Sequence, residues 1–519
     1  MAAYRPRRIH RVLIANRGEI AVRVIRACRR LGVDSVAVFS DADRRALHVR
    51  MARYAVPIGP PPADQSYLNM DKIIKAAKDT GSDAIHPGYG FLAENETFAE
   101  RVLDAGLIWI GPPPHAIEAM GNKVTARRLM IKAGAPVVPG SDGPIRPGDE
   151  EEALIAARHA GFPIVIKAVA GGGGKGMRVV NKAEDWVPAI EAARREAKGA
   201  FGDPSVYWEK YLTQPRHVEI QILAGPDARA YSLGERECSI QRRHQKVIEE
   251  SPSVAVDPEL RARMGKAAIA AAESCGYVGA GTVEFLLDVD KKFYFLEMNT
   301  RLQVEHPVTE WVTGVDLVAE QLHIAGGDNW QPPKLDHAPF GHAIQFRIYA
   351  EDPQNNFLPS PGTIVDYHAP QGPGVRVDSG VYLGAEIPIY YDPMIAKLIV
   401  WGRDRDEAIA AGQGALKEFL IDGVATTIDF HRRVVQHPEY IKGNTTTSFI
   451  SQYFGPSESE PSIDPEVQRA VAIAAALQAE HRRTGFMAPL IHGNGPTSGP
   501  RPWLVDARRR GVNRWAAHA

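Results

Sequence analysis

Between residues 12 and 114 the chain repeats one unit: a short apolar run, a tight turn, and a stretch of helical periodicity. Val12-Leu13-Ile14-Ala15 reads as a buried strand, Asn16 to Glu19 as its turn, and Ile20 to Leu31 as a helix closed by Gly32. Ser35 to Phe39, Ala84 to His86 and Ile108 to Ile110 read as further strands, with a helix near Asp71 to Asp79 and turns at Pro87-Gly88-Tyr89-Gly90 and Gly111 to Pro114. Strands alternating with helices are expected to pair in parallel. The first turn lacks the three-glycine fingerprint of a dinucleotide site, which argues against nicotinamide binding.

With 519 residues and 44% apolar side chains, the chain can fill about three such cores. Lys plus Arg total 61 against 62 for Asp plus Glu, so no general field draws in nucleic acid or an anionic membrane, and phosphate must be bound by locally placed charge. Cys28, Cys238 and Cys275 lie far apart, with neither disulfide nor zinc spacing. No apolar run is long enough for a signal peptide or a membrane span, so a reducing cytoplasm is the expected compartment. Texture changes near Gly121, and Gln331-Pro332-Pro333 marks a second boundary. The expected domains are 1–120, 121–330 with residues 138–210 as a subdomain, and a β-rich 341–450. Residues 451–519 read as a Pro/Ser/Glu linker, one helix between about Pro465 and Arg482, and an Arg-rich tail.

The sharpest motif is Ile164-Val165-Ile166-Lys167 followed by four glycines, Gly171 to Gly174. Such a run lets backbone N–H groups approach phosphates. It is not a Walker loop, because the lysine precedes the glycines. Lys123 and Lys167 are candidates to hold nucleotide phosphates from two sides.

A second motif is the hairpin Thr282 to Leu287 and Phe293 to Asn299. With a two-residue turn at Asp290-Lys291, Asp288 pairs with Phe293, Leu286 with Phe295, and Glu284 with Glu297. Opposed carboxylates are stable only if one is protonated or a cation lies between them, and magnesium suits two acids plus substrate phosphates. Asn299 adds an oxygen close by. Arg301-Leu302-Gln303-Val304-Glu305-His306-Pro307 then sets a guanidinium, an amide and a carboxylate where they could bind a planar anion and take its proton. The polar run Glu235 to Lys246 reads, taken alone, as a solvated charged strand. Its Cys238 reads as a small core residue rather than a nucleophile.

Together, Ile14 to Ile20, His86 to Phe91, Lys167 to Met177, Gln241 to Lys246 and Glu297 to Pro307 resemble biotin carboxylase, of the ATP-grasp superfamily, in order over roughly residues 8 to 450. The resemblance implies a multidomain α/β and α+β fold. Its parts are a Rossmann-like amino-terminal domain, an ATP-grasp domain with a glycine-rich lid, and a β-rich carboxyl-terminal domain. It implies ATP contacts at Lys123, Lys167, Gly173, Gly174, Glu209, Lys210, Tyr211, Leu212, His217, Gln241 and His244, and Mg2+ or Mn2+ ligands at Glu284, Glu297 and Asn299. Bicarbonate would meet Lys246, Arg301, Gln303 and Val304, with Glu305 as base. Biotin would meet Tyr89 and Arg347, the latter stabilising its enolate.

The loop here has Ala170 before four glycines and Lys175 after them, a pattern nearer the propionyl-CoA and related acyl-CoA carboxylases. Gln345-Phe346 precedes Arg347 where bacterial relatives carry Glu-Cys. None of the ten methionines is followed by lysine, so the Met-Lys-Met biotin site is absent and separate carrier and carboxyltransferase polypeptides are expected. The resemblance also implies a homodimer. Two other readings are a different bicarbonate-using ATP-grasp ligase, similar to carbamoyl-phosphate synthetase, and a non-catalytic regulatory homologue.

Overall fold

The structure is a computed structural model that describes residues 8–169, 177–327, 330–334 and 339–455, and six helical positions between 466 and 476. Those six lie inside the helix expected at 465–482. Gly173 and Gly174 fall outside the described residues. Residues 1–455 form one unit and residues from 456 a second. The first is described below.

The amino-terminal strands β1 (Arg11–Ile14), β2 (Asp34–Ser40), β3 (Tyr54–Gly59), β4 (Ala84–His86) and β5 (Ile108–Trp109) form one sheet in the order β3-β2-β1-β4-β5, and every pairing is parallel, as expected. Helix α1 (Gly18–Arg30) starts at the expected turn, with Gly18 at φ +66° supplying a conformation that a side chain would resist. Its Ile20, Val24 and Ile25 are buried against the sheet.

Strands β6 (Ile164–Ala168), β7 (Met177–Val180) and β8 (Val206–Lys210) make a small antiparallel sheet. The helices Glu150–Ala160 and Trp186–Phe201 cover it around the fully buried Trp186.

The largest sheet has eight strands. It runs β13 (Phe293–Asn299), β12 (Gly279–Leu287), β9 (Arg216–Ala224), β10 (Ala230–Arg242), β11 (Gln245–Ser251), β14 (His342–Tyr349), then Met394–Gly402 and Val375–Ser379. Because β11 pairs with β14, the sheet is continuous across the boundary expected at Gln331. Residues 341–402 are β-rich as expected. The chain beyond them is mainly helical, with Arg405–Glu418 packing Gly412 against Phe346, the short strand Leu420–Asp422, and Ile428–Gln436 following.

The hairpin differs from its expected register at the tip. Lys291 adopts φ +59° and the turn closes from Asp288 to Lys292, giving three loop residues rather than two. Phe285 therefore faces Phe295 and Leu287 faces Phe293. A bulge with Leu296 as the extra residue then restores the pairing of Glu284 with Glu297. The bulge lets Phe285, Leu287, Phe293 and Phe295 all enter the core without moving the two acids out of register.

The run from Glu235 is not a solvated strand. In β10, Glu235, Arg236, Glu237 and Ser239 are buried, because each charge meets an opposite one: Arg236 with Glu219, Glu235 with Arg261, Glu237 with Arg216.

At Gly380, after Val375–Ser379, a Cβ would lie 2.6 Å from the Glu19 amide nitrogen and 2.9 Å from the Gly18 carbonyl carbon. Gly380→Ala is expected to lower unfolding free energy by about 1–3 kcal/mol, since main chain cannot swing aside as a side chain can. Urea unfolding checks this, and an unchanged midpoint would mean that the two segments separate freely.

Candidate active site

Three strands of the largest sheet, β12, β9 and, beyond β10, β11, converge with one loop on a single ammonium group. Lys246, on β11, donates to Glu219 Oε2 at 2.5 Å, Glu284 Oε1 at 2.7 Å and Glu305 Oε1 at 2.8 Å. Burial alone would lower the Lys246 pKa, but the three carboxylates outweigh it and raise it well above the usual lysine value. Burial would likewise raise Glu284 and Glu305. Lys246 and His217 hold Glu284 well below the ordinary carboxylate range, and Lys246 and Arg347 hold Glu305 low. Lys246, Glu284 and Glu305 are therefore charged at neutral pH.

Glu305 immediately precedes the helix His306–Thr313, makes no side-chain capping bond to it, and is fully buried. Arg347 on β14 donates to its Oε2 at 2.9 Å and to Glu249 Oε1 at 2.5 Å. Burial pushes Glu249 up to about 7 despite Arg347. Gln345, in the setting that departs from the bacterial pattern, donates its amide to Glu249 Oε2 at 3.0 Å, and Phe346 lies in the core. The arginine is thus shared between two acids, one of them steadied by a neutral neighbour.

Around Glu284, Asn299 Nδ2 and Gln303 Nε2 donate to the same oxygen that Lys246 holds, at 2.9 and 3.0 Å. Asn299 Oδ1 accepts from Arg301 at 2.9 Å, so its oxygen is already engaged. Arg301 also donates to Glu94 Oε2 at 2.8 Å. Glu297 is half-buried, hydrogen-bonds to no described side chain, and is raised by burial and by Glu284. An acid made less acidic by a facing acid is one that a hard divalent cation would relieve, so Glu284 and Glu297 fit such an ion. Among the described residues, the triads with donors within 4.8 Å of one another are His217, Glu219 and Glu284, and Glu219, Cys238 and Glu305. Neither contains Glu297.

The expected nucleotide contacts do not all gather in one cluster. Lys167 Nζ donates to Glu209 Oε2 at 2.5 Å, and Arg127 approaches the other oxygen. Lys123 begins a helix, and burial lowers its pKa against the pull of Glu297. Lys210 Nζ turns to the carbonyls of Gly161 and Phe162. Tyr211 is exposed and Leu212 partly so. His217 Nε2 lies 3.0 Å from Glu284 Oε2, and Gln241 bonds its other ring nitrogen at 3.0 Å. His244 sits in the exposed β10–β11 turn at φ +67°, apart from this cluster. Tyr89 Oη is hydrogen-bonded to Glu19, and the Val304 carbonyl to Lys397.

Glu219, Arg236, Glu249, Glu94 and Lys397 escaped the sequence reading. Arg236 is fully buried and donates to Glu219, Gln221, Thr282 and Thr309. The available signal was the alternation His217-Val218-Glu219-Ile220-Gln221-Ile222, which normally marks a strand with one wet face. Here both faces are buried. Cys238 is buried with Sγ 4.0 Å from Glu305 Oε1, and burial first, then Glu219, raises its thiol well above the usual value, consistent with a core residue.

Three family descriptions match the chain in succession: Biotin carboxylase, N-terminal domain, over residues 8–117; Carbamoyl-phosphate synthase L chain, ATP binding domain, over 122–332; and Biotin carboxylase C-terminal domain, over 345–452. Biotin carboxylase 1 of Bacillus subtilis strain 168 is 54% identical over 446 residues, covering 86% of this chain and 99% of the relative. Biotin carboxylase of a Nostoc species is 53% identical over 442 residues, covering 85% and 98%. The biotin carboxylase domain dimer of Hydrogenobacter thermophilus 2-oxoglutarate carboxylase, in complex with MgADP, ADP and bicarbonate, superposes with a TM-score of 0.82 at 44% identity, covering 88% of this chain and all of that one. Flanking matches on both sides of the ATP-binding region, near-complete coverage of relatives and the shared fold place the chain in the biotin carboxylase family.

Proposed function

We propose that this chain carboxylates carrier-linked biotin at the expense of ATP, with the Lys246 cluster as its bicarbonate site. The observation that carries the reading is Glu305, a fully buried carboxylate gripped by Lys246 on one side and Arg347 on the other. Lys246, Arg301, Gln303 and the Val304 amide suit a planar anion, and ionised Glu305 accepts its proton. Two cations on one carboxylate make a weak base. An anion that draws Lys246 or Arg347 to itself frees Glu305 and strengthens it.

Deprotonated bicarbonate then attacks the γ-phosphorus, the bond to the bridging oxygen breaks, and ADP leaves carboxyphosphate. This collapses to CO2 and phosphate, the phosphate takes the ureido proton of biotin, and the nitrogen attacks CO2. Arg347 stabilises the enolate oxygen, with Tyr89 beside the biotin site. Lys123, Lys167, Gly173, Gly174, His217, Gln241 and His244 serve ATP, and the Glu209 to Leu212 segment its adenine. A magnesium or manganese ion at Glu284 and Glu297, with Asn299 turned toward it, would neutralise phosphate charge. A lid over residues 138–210, hinged at the glycines, would keep water from carboxyphosphate.

The domain division at about residues 120, 330 and 450 and a homodimer belong to the same reading. So do separate carrier and carboxyltransferase polypeptides, and a cytoplasmic setting. Relatives that consist of this unit alone support separate polypeptides. Among the described residues no helix is long and apolar enough to cross a membrane.

The carbamoyl-phosphate alternative draws only on the central match, and biotin separates the two. Free biotin should stimulate ATP hydrolysis in bicarbonate buffer; no stimulation at any concentration favours the other ligase. Glu305→Gln should leave the ATP KM nearly unchanged and lower turnover by about 10²-fold or more. Undiminished turnover would take Glu305 out of the chemistry.

A further inference from the structure

The loop bearing Gln303, Val304 and Glu305 is held from behind by a side chain with no part in the chemistry proposed above. Lys397, on the strand Met394–Gly402, is fully buried. Its Nζ donates to the Val304 carbonyl at 3.0 Å and lies 3.1 Å from Glu19 Oε1. In the ladder Lys397 stands directly opposite Arg347 on one neighbouring strand and Asp378 on the other.

Two like charges directly opposed across a ladder destabilise a sheet, and burying an ammonium is costly before its partners are counted. An apolar residue would serve the sheet at least as well. The fold instead supplies each cation with acid partners: Glu249 and Glu305 for Arg347, and Glu19 for Lys397, while the facing Asp378 is held by Arg376. A cost kept in this way calls for a use, and the geometry offers one.

A carbonyl and the following N–H share one rigid plane, so holding the Val304 oxygen orients the Glu305 peptide as well. The preceding carbonyl, of Gln303, accepts from the His306 amide at 3.3 Å and from His306 Nδ1 at 2.7 Å. Two successive peptide planes are thus fixed, one from inside the loop and one by Lys397. Arg347 grips the carboxylate of Glu305 while its ladder neighbour grips the main chain one residue earlier.

We infer that Lys397 is a positioning residue for bicarbonate: with Arg347 it clamps residues 303–305 to the carboxyl-terminal strands, fixing the Val304 amide relative to the Glu305 carboxylate. The inference rests on the reading of the site proposed above.

The test is steady-state kinetics of bicarbonate-dependent ATP cleavage by the full chain without biotin, so that Tyr89 beside Glu19 plays no part. Lys397→Met should raise the bicarbonate KM about 10-fold or more with the ATP KM changed less than about 2-fold, as a misplaced binding group does. Lys397→Arg, which keeps a cationic donor, should recover most of the loss. Should the single variant fail to fold, Glu19→Gln with Lys397→Met removes both members of the buried pair and should show the same rise. An unchanged bicarbonate KM in a folded variant, or equal changes in both KM values, overturns the inference. A wild-type chain without bicarbonate-dependent cleavage would instead sink the reading of the site, and this inference with it.

Discussion

The structure is organised around one ammonium group held by three carboxylates that no water-exposed arrangement would bring together. Lys246 with Glu219, Glu284 and Glu305 is stable only because each acid also has a second partner: Arg236 for Glu219, His217 for Glu284, Arg347 for Glu305. Burial penalises every member, and the mutual pairing more than offsets it for Lys246, Glu284 and Glu305. An anion arriving there meets cations already desolvated and fixed, which is what electrostatic preorganisation requires.

That network explains why the largest sheet continues from the ATP-binding region into the carboxyl-terminal one. Glu219, Lys246 and Glu284 come from β9, β11 and β12, whereas Arg347 and Lys397 come from β14 and the strand after it. Pairing β11 with β14 sets Glu249 opposite Gln345 and brings Arg347 within reach of both Glu249 and Glu305. A site divided between independently moving domains would lose this registration. Sharing one hydrogen-bonded ladder gives it rigidity where charges must stay in place, while the small sheet of β6, β7 and β8 remains a separate layer.

The bulge at Leu296 shows how the fold reconciles two demands on one hairpin. The core takes Phe285, Leu287, Phe293 and Phe295 on its side, and Glu284 is kept opposite Glu297. Strict alternation from a three-residue loop satisfies only the first. One extra residue satisfies both, and the cost is a locally broken ladder beside the functional groups, where bulges are common.

Much of this was legible in the residues themselves. The parallel sheet followed from strands alternating with helices, because hydrophobic period is a local property. The facing of Glu284 and Glu297 was expected from a two-residue turn, whereas the structure reaches it through a three-residue turn and a bulge at Leu296, which only core packing decides. The family likeness came from motifs in order, which needs no geometry. Other features depended on distant segments. Whether Glu235 to Ser239 met water or opposite charges turned on Glu219, Arg261 and Arg216, and the sharing of Arg347 between Glu249 and Glu305 turned on how β14 pairs. Burial of a charged residue is decided by what the rest of the chain brings to it, so a pattern that reads as a wet face in sequence became, in three dimensions, the interior of the site.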